Sequence, residues 1–417
     1  MFAERDDQLY CEGVPLARIA AEVGTPTYAY SLRALRDAYR AYDQALAAVP
    51  HLICYSVKAN GTLAVLRAFA REGSGFDIVS SGELFLAERA GADPRRIVFS
   101  GVGKTRDEMA RALAAGILMF NVESPAELEL LEQVAAAAGR RAPVALRVNP
   151  DVDPKTHPYI STGMKKSKFG IDIESALEVY ERAKRSPHLD VVGVDCHIGS
   201  QLTSLAPFSD ALARVRLLIG TLRDRGIAIR YLDMGGGLGI TYSEEQPPSA
   251  AEYGAVLVTG VRDLGVTAVI EPGRSLVGNA GVLLTRVLYL KDSPVKRFVI
   301  VDAAMNDLIR PPLYGAYQEI RPVGAARPGR PGTVDVVGPV CESADFLAQD
   351  RTLPPVESGD VLAVMSAGAY GFVMASNYNA RPRAASVLVD GDRYDVVRER
   401  ETVEDLIRGE SLPASLG

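Results

Sequence analysis

From about residue 50 to residue 271 the chain alternates short apolar runs with amphipathic stretches, the pattern of strands followed by helices around a parallel sheet. Eight strand candidates stand in this region, at 52–57, 76–79, 97–100, 117–122, 144–148, 191–198, 230–234 and 266–270. Helical periodicity follows the first seven, over 63–71, 82–90, 106–115, 125–138, 175–185, 208–225 and 250–264. Eight strands with these crossovers predict a (β/α)8 barrel. No helical text follows the eighth strand, where Gly273, Gly278 and Gly281 interrupt the chain. The segment 31–48, with Ser31 as its N-cap, precedes the first strand and can take the vacant place in the outer ring.

After about residue 277 the period changes from helical to alternating, with runs at 282–290, 298–301, 333–337, 361–365 and 385–389 separated by Pro and Gly clusters such as 327–332. This predicts a mostly antiparallel β domain, a sandwich or barrel. Residues 8–13 have no place inside the barrel and are expected to add a strand to it. The expected organisation is therefore α/β plus all-β, with a barrel over 27–277 and a β domain formed by 1–26 and 278–417.

Composition narrows the function by exclusion. A net charge of -6 over 417 residues gives no basic footprint for nucleic acid, so no nucleic-acid partner is expected. Met1 is followed by Phe2-Ala3-Glu4-Arg5-Asp6-Asp7 and not by an apolar core, and no run of about 20 apolar residues occurs. A cytoplasmic protein without a membrane segment is expected. Cys11, Cys54, Cys196 and Cys341 stand far apart with no C-x-x-C pair, which suits reduced thiols better than disulfides or a metal site.

Chemistry concentrates where the barrel reading places the C-terminal strand ends, the face on which such folds carry their active sites. The first strand runs into Lys58, the second carries Asp77, and the sixth ends in Cys196-His197-Ile198-Gly199-Ser200. The seventh runs into Asp233-Met234-Gly235-Gly236-Gly237-Leu238-Gly239, and the eighth into Glu271-Pro272-Gly273-Arg274. A lysine at a strand end is most often simply solvated, so the case for Lys58 as a Schiff-base former rests on its neighbours. Glycines after strand seven, with Gly273 and Arg274 in the next loop, read as a phosphate nest at the habitual position in barrels. A phosphate anchor opposite a strand-end lysine matches pyridoxal 5'-phosphate, whose ring nitrogen needs an acidic partner such as Glu271. His197 is one of four histidines; a hydrogen-bonded core imidazole is the alternative to a ring stacked over the cofactor.

These residues, in this order, resemble the alanine racemase and ornithine decarboxylase-like superfamily and, within it, the diaminopimelate decarboxylases. The resemblance runs from Leu9-Tyr10-Cys11-Glu12-Gly13-Val14 and Gly24-Thr25-Pro26-Thr27-Tyr28-Ala29-Tyr30-Ser31 to the Tyr370 region. Its most specific pieces are Tyr55-Ser56-Val57-Lys58-Ala59-Asn60, His197-Ile198-Gly199-Ser200-Gln201, Glu271-Pro272-Gly273-Arg274 and Cys341-Glu342-Ser343-Ala344-Asp345. It implies decarboxylation of meso-2,6-diaminopimelate to L-lysine and CO2 with pyridoxal 5'-phosphate. Lys58 would bond the cofactor aldehyde, His197 would stack on the ring and Glu271 would pair with its nitrogen. Asp77, Ser200, Gly236, Gly237, Gly273, Arg274 and Tyr370 would complete the cofactor shell.

The same resemblance implies a homodimer in which the partner's β domain supplies Cys341 as proton donor and Glu342 as contact to the distal amine. Arg310 and Tyr314 would hold the distal carboxylate, and Arg274 and Tyr370 would also reach substrate. A substrate with a remote amine and a remote acid needs a carboxylate for one and an arginine fork for the other, which agrees with this assignment. Arg310 before two prolines could equally be a surface turn residue, Tyr314 and Tyr370 interior aromatics, and Cys341 a small buried hydrophobe. The rival activities are decarboxylation of another basic amino acid or of a carboxylated polyamine, racemisation on the same barrel, and non-catalytic cofactor binding. The long loop 151–170, with Lys165-Lys166-Ser167-Lys168, is expected to help cover the substrate.

Overall fold

The computed structural model describes residues 1–152, 168–325 and 327–416, and the chain divides into two compact units, 1–34 with 277–417 and 35–276. In the second unit eight parallel strands close on themselves: β1 (His51–Ser56), β2 (Gly75–Ile78), β3 (Ile97–Phe99), β4 (Met119–Val122), β5 (Ala142–Asn149), β6 (Leu189–Asp195), β7 (Tyr231–Asp233) and β8 (Thr267–Ile270). The eighth pairs with the first through Ala268 with His51 and Ile270 with Ile53, which closes the expected barrel. Helix ends fall where the capping chemistry puts them. Thr105 and Ser249 each cap a helix reciprocally with the glutamate three residues on, and Gly91 and Gly116 end theirs in the left-handed conformation.

The helix before the first strand, Leu32–Leu46, begins at Ser31, whose Oγ accepts the Ala34 amide at 3.1 Å. Its later turns pack among the barrel helices. Tyr39 meets Phe69 of the helix after β1 at 6.3 Å between ring centroids, and Tyr42 meets Tyr253 of the helix before β8 at 6.1 Å. Only the four-residue helix Arg274–Val277 follows β8, and the helix Leu32–Leu46 takes the place of a full one. A Cβ at Gly254 would lie 2.6 Å from the Ala45 Cβ, so the two helices touch at glycine.

Inside the barrel the period of two sorts the side chains into layers. Leu52, Cys54, Val98, Met119, Ala145, Val192 and Val269 form an apolar layer. Two residues further along six strands the inward position turns polar: Cys54 gives way to Ser56, Val98 to Ser100, Met119 to Asn121, Ala145 to Arg147, Tyr231 to Asp233 and Val269 to Glu271. Gly75 precedes Asp77 and Gly193 precedes Asp195 by the same step. Every strand thus contributes at least one buried polar side chain at or just past its C-terminal end.

The first unit is built on the long strand Gly281–Asp292, which pairs antiparallel with Thr27–Ser31, Val361–Val364 and Arg297–Val301. Its alternate residues feed two cores. Leu283 joins Tyr28, Tyr30, Leu362 and Val364 on one face, whereas Val282 and Leu284 join Ala29, Ala363, Val387 and Val389 on the other. Both faces are buried, which is why the strand reads as a continuous apolar run and not as an alternation. Most pairings are antiparallel, as expected; 27–31 with 385–389 and 298–300 with 335–337 are parallel.

Two expectations about the N-terminal segment change. Residues 27–34, grouped with the barrel in the sequence reading, belong to the β unit, because Thr27–Ser31 lies between Gly281–Asp292 and Ala385–Asp390 in the sheet. Gln8–Cys11 enters the same unit but pairs with Phe2–Arg5 and Val14–Pro15 in a separate three-stranded sheet. With Leu16–Glu22 it covers the second face through Leu9, Cys11, Val14, Leu16 and Ile19.

The contact at Gly254 sets two effects against each other. Alanine is favoured over glycine in a helix interior by about 1 kcal/mol, whereas forcing a methyl group into a packed contact costs about 1–3 kcal/mol. The Ala45 carbonyl oxygen, 2.9 Å from the added Cβ, is backbone and cannot step aside. Gly254→Ala is therefore expected to lower the urea midpoint; an unchanged or raised midpoint would show that the two helices do not touch there.

Candidate active site

At the end of β1 the chain turns into a short 3-10 segment, Val57–Ala59, that carries Lys58. Its Nζ donates to Asp77 Oδ2 at 2.5 Å, and Ser56 Oγ donates to the same oxygen at 2.6 Å. Asp77 is fully buried while the lysine side chain keeps 36% of its exposure, so the ammonium stands at the mouth of the barrel with its counter-ion below. Asp77 Oδ1 finds no hydrogen-bond partner among the described residues.

Glu271 lies in the same polar layer. Its Oε1 accepts from Ser100 Oγ at 3.0 Å and from Asn121 Nδ2 at 3.2 Å, and Asn121 Nδ2 also reaches Asp233 Oδ2 at 3.1 Å. Carboxylate oxygens of Asp195, Asp233 and Glu271 lie within 4.8 Å of one another. At that separation each pair of charges repels by a few kcal/mol at an effective dielectric constant of about 20. Burial, reinforced by the neighbouring carboxylates, holds Asp195 and Asp233 well above the usual carboxylate range. Burial likewise pushes Glu271 up to about 7, with Asp77 adding to the shift and Lys58 and Arg147 opposing it.

Arg147 is the buried cation of the layer, register partner of Asp195 on β6. It donates to Glu123 Oε1 at 2.9 Å and lies 4.8 Å from the Phe169 ring centroid. Glu123 also accepts from the amides of Gly101 and Gly170, both at 3.0 Å. Below it the buried Lys104 ammonium donates to Gly101 O, Asn121 O and Glu127 Oε1, all within 2.8 Å. These contacts fix the loops after β3 and β4 to the rim.

His197 follows β6. Burial lowers its pKa well below the ordinary imidazole value, and the cations Arg147 and Lys58 act in the same direction. The ring is therefore neutral, and its Nδ1 accepts the Gly236 amide at 3.0 Å, which leaves the proton on Nε2. Gly235, at φ +62, allows this approach, since a Cβ there would lie 2.4 Å from Nδ1. The Gly235 amide is engaged too, by Asp233 Oδ1 at 2.9 Å. Two amides of the expected phosphate nest are thus committed, and Gly236 serves the imidazole.

Anion-binding chemistry gathers one step further on. Arg274 is buried and donates to Tyr242 Oη at 2.7 Å and to Ser200 Oγ at 3.1 Å. Gly237, at φ +117, lies against the Gly199 carbonyl, 2.7 Å from where a Cβ would stand. Gly273 packs on Ser56 and Ala59, with 3.0 Å from its ideal Cβ to each side chain, and so brings the loop after β8 beside the Lys58 turn. An amine with a buried counter-ion, a carboxyl held for a ring nitrogen, a neutral flat ring and an arginine among glycines suit pyridoxal 5'-phosphate. The fit rests on the unpaired buried Asp77 Oδ1 and on glycines whose side chains would fill the cradle.

The β unit carries the other expected residues. Arg310 opens the short helix Arg310–Tyr314; it is buried and lies 3.4 Å from Gln318 Oε1, while Tyr314 is half-buried. Tyr370 adopts φ +55, a conformation rare for a non-glycine residue and concentrated at functional sites. Cys341 and Glu342 are exposed. Cys341 is therefore not the small buried hydrophobe of the alternative reading. Residues 153–167 of the expected cover over the substrate lie outside the described residues. Sequence reasoning missed Ser100, Asn121, Arg147, Asp195 and Tyr242; the step of two from the apolar layer marks the first three.

The profile described as "Pyridoxal-dependent decarboxylase, pyridoxal binding domain" matches residues 32–278. The diaminopimelate decarboxylase of Pseudomonas aeruginosa is 59% identical over 411 residues, 99% of each chain. Among solved structures, the M. jannaschii diaminopimelate decarboxylase in co-complex with L-lysine superposes with a TM-score of 0.95 at 39% identity, covering 100% of this chain and 99% of that one. The Helicobacter pylori enzyme complexed with L-lysine gives 0.91 at 44% identity, covering 94% and 98%.

The raised carboxyls carry a sign that can be checked without substrate. A carboxyl with a folded pKa above its unfolded value binds more protons when folded. Its contribution is present below the unfolded pKa, near 4.5 for Glu271, and is lost as pH rises through about 7. The melting temperature of cofactor-free protein is therefore expected to fall between pH 5 and pH 8, and Glu271→Gln to flatten that slope. A slope unaltered in the variant would remove Glu271 as its source.

Proposed function

The chain belongs to the pyridoxal-dependent decarboxylases and, within them, to the diaminopimelate decarboxylases, and from that premise we propose how its residues divide the work. It is a pyridoxal 5'-phosphate-dependent carboxy-lyase that converts meso-2,6-diaminopimelate to L-lysine and CO2, the last step of lysine biosynthesis. The observation that carries the assignment of residues is Lys58 bonded to buried Asp77 at the mouth of a barrel whose polar layer also holds Glu271.

The cofactor, when bound, supplies the electron sink that takes up the electron pair left behind as the carboxylate departs. Lys58 would hold the cofactor aldehyde and, as a free amine, would keep a proton at Nζ against Asp77. Glu271 would present its carboxyl to the ring nitrogen, with Ser100 and Asn121 fixing its angle. His197, kept neutral, would stand beside the ring, since a second cation next to Lys58 would oppose protonation of the nitrogen. Ser200, Gly237, Gly273 and Arg274 would form the cradle for the phosphate, while Gly236, whose amide is taken by His197 Nδ1, would hold the imidazole beside it.

At the substrate, Arg310 and Tyr314 orient the distal carboxylate, Glu342 takes the distal amine, and Arg274 and Tyr370 bound the reacting end. Cys341 hands the proton of its thiol to the carbon that has lost its carboxylate. We infer a cytoplasmic homodimer in which Cys341 and Glu342 of the partner subunit complete each barrel site. The exposure of both residues supports that reading, and no helix among the described residues is long and apolar enough to cross a membrane.

Lys58→Ala is expected to abolish both turnover and the visible absorbance of the lysine-bound cofactor, whereas Cys341→Ala should keep the absorbance and lose about 10²-fold or more in kcat. Product analysis with meso-diaminopimelate, ornithine and lysine, with and without pyridoxal 5'-phosphate, tests the substrate. Lysine formed from diaminopimelate only with cofactor is the expected result; faster turnover of ornithine or lysine would reassign it.

A further inference from the structure

Cys341 and Glu342 sit on an exposed turn with no regular element of their own. A turn that delivers a proton and recognises an amine has to be held in place by something. Its near side is anchored by Asp345, whose Oδ2 accepts the Val340 amide at 2.6 Å and whose Oδ1 accepts the Met305 amide at 2.7 Å. Its outer side is held from elsewhere. Asn379 Oδ1 accepts the Cys341 amide at 2.7 Å, and Tyr378 Oη donates to Glu342 Oε2 at 3.3 Å.

The segment that presents these two groups is shaped for the purpose. Asn379 and Ala380 both have φ +54, a left-handed conformation that asparagine tolerates and alanine rarely adopts. Tethers on each side maintain it. The Ser376 amide donates to Asn306 O at 2.9 Å, Asn377 Nδ2 reaches Glu401 Oε2 at 2.7 Å, and Arg381 Nη2 donates to Asp302 O at 2.9 Å. The Glu342 charge, ahead of burial, raises the Tyr378 phenol above its ordinary pKa, so the hydroxyl stays protonated and remains the donor.

The geometry points to Tyr378 and Asn379 as positioning residues for the reaction: Asn379 fixes the Cys341 backbone and hence the direction of its thiol, and Tyr378 fixes the Glu342 carboxylate. The inference rests on the roles given above to Cys341 and Glu342. It divides the consequences, because the thiol serves the proton transfer and the carboxylate serves substrate binding. Loss of the Asn379 amide falls on kcat, and loss of the Tyr378 hydroxyl falls on KM.

Thiol alkylation tests the turn without reference to turnover. Burial pushes the thiol pKa of Cys11, Cys54 and Cys196 up, and Cys341 alone of the four lies outside its own chain's core, where it would line the substrate site of the dimer, so iodoacetamide, small enough to enter that site, is expected to modify Cys341 selectively in the folded holoenzyme. Asn379→Gly tolerates the left-handed backbone and removes only the amide. It is expected to change the Cys341 alkylation rate by about threefold or more and to lower kcat about tenfold with KM within about twofold. Tyr378→Phe, at a 44% exposed side chain whose loss leaves the fold intact, should raise KM about fivefold with little change in kcat. In the Cys341→Ala background Asn379→Gly should cost nothing further. An unchanged alkylation rate in Asn379→Gly, or losses that multiply in the double variant, overturns the role of Asn379; a wild-type KM in Tyr378→Phe overturns that of Tyr378. Full turnover in Cys341→Ala would instead remove Cys341 as the acid, and the alkylation rate would then decide by itself whether Asn379 positions the turn.

Discussion

Eight strands that each end their inward face on a polar side chain bring charge into a space from which water is largely excluded, and the site follows from how that charge is balanced. Asp77, Asp195, Asp233 and Glu271 are all buried, and Arg147 is the buried cation among the inward strand ends. Unpaired buried carboxylates are costly, so the layer has to hold protons, find cations, or both. It does both. Lys58 stands over Asp77, Arg147 is level with Asp195, and the remaining carboxyls keep raised pKa values. A cationic group brought against the layer would answer the same deficit.

The polar layer also explains why the loops beyond it are rich in glycine. Once the strand ends are occupied by side chains that must bond one another, the connecting backbone has to pass close to them. Gly235 passes against the His197 ring and Gly236 against the Glu271 carbonyl, 2.3 Å from where a Cβ would be. A glycine run that reads in sequence as an anion nest is here divided. Its first two amides hold Asp233 and His197, and the space left for an anion lies toward Ser200 and Arg274.

Much of the barrel was legible because a parallel sheet covered by helices writes two clear periods into the chain. The seven helices predicted after strands and the one predicted before the first strand all have counterparts in the fold, and Lys58, Asp77, His197 and Glu271 fall at strand ends where a count of strands puts them. The β unit was harder. Thr27–Ser31 is an apolar run that could serve either sheet, and its partners, 281–284 and 385–389, lie more than 240 residues away, so no local pattern assigns it. The inward polar residues Ser100, Asn121, Arg147 and Asp195 were readable by parity, yet each is an ordinary residue type at the end of a run. Only closure of the barrel makes them neighbours.

Two of the four cysteines, Cys54 and Cys196, lie on or at the end of barrel strands, far nearer in sequence to Lys58 and His197 than Cys341 is, and neither is suited to act as the acid. Burial raises the pKa of both thiols, and Cys54 belongs to the apolar layer, two residues short of the polar one. A thiol there would hold its proton tightly and regain it slowly, since no water reaches it. An acid that is spent in every turnover must exchange with solvent in every turnover. Cys341, on the turn proposed to complete the partner's site, lies outside the core of its own chain, and what it gives up there is a fixed position, which a backbone turn alone does not restore. The need for side chains that hold the turn from outside is thus the counterpart of carrying a thiol beyond the buried core.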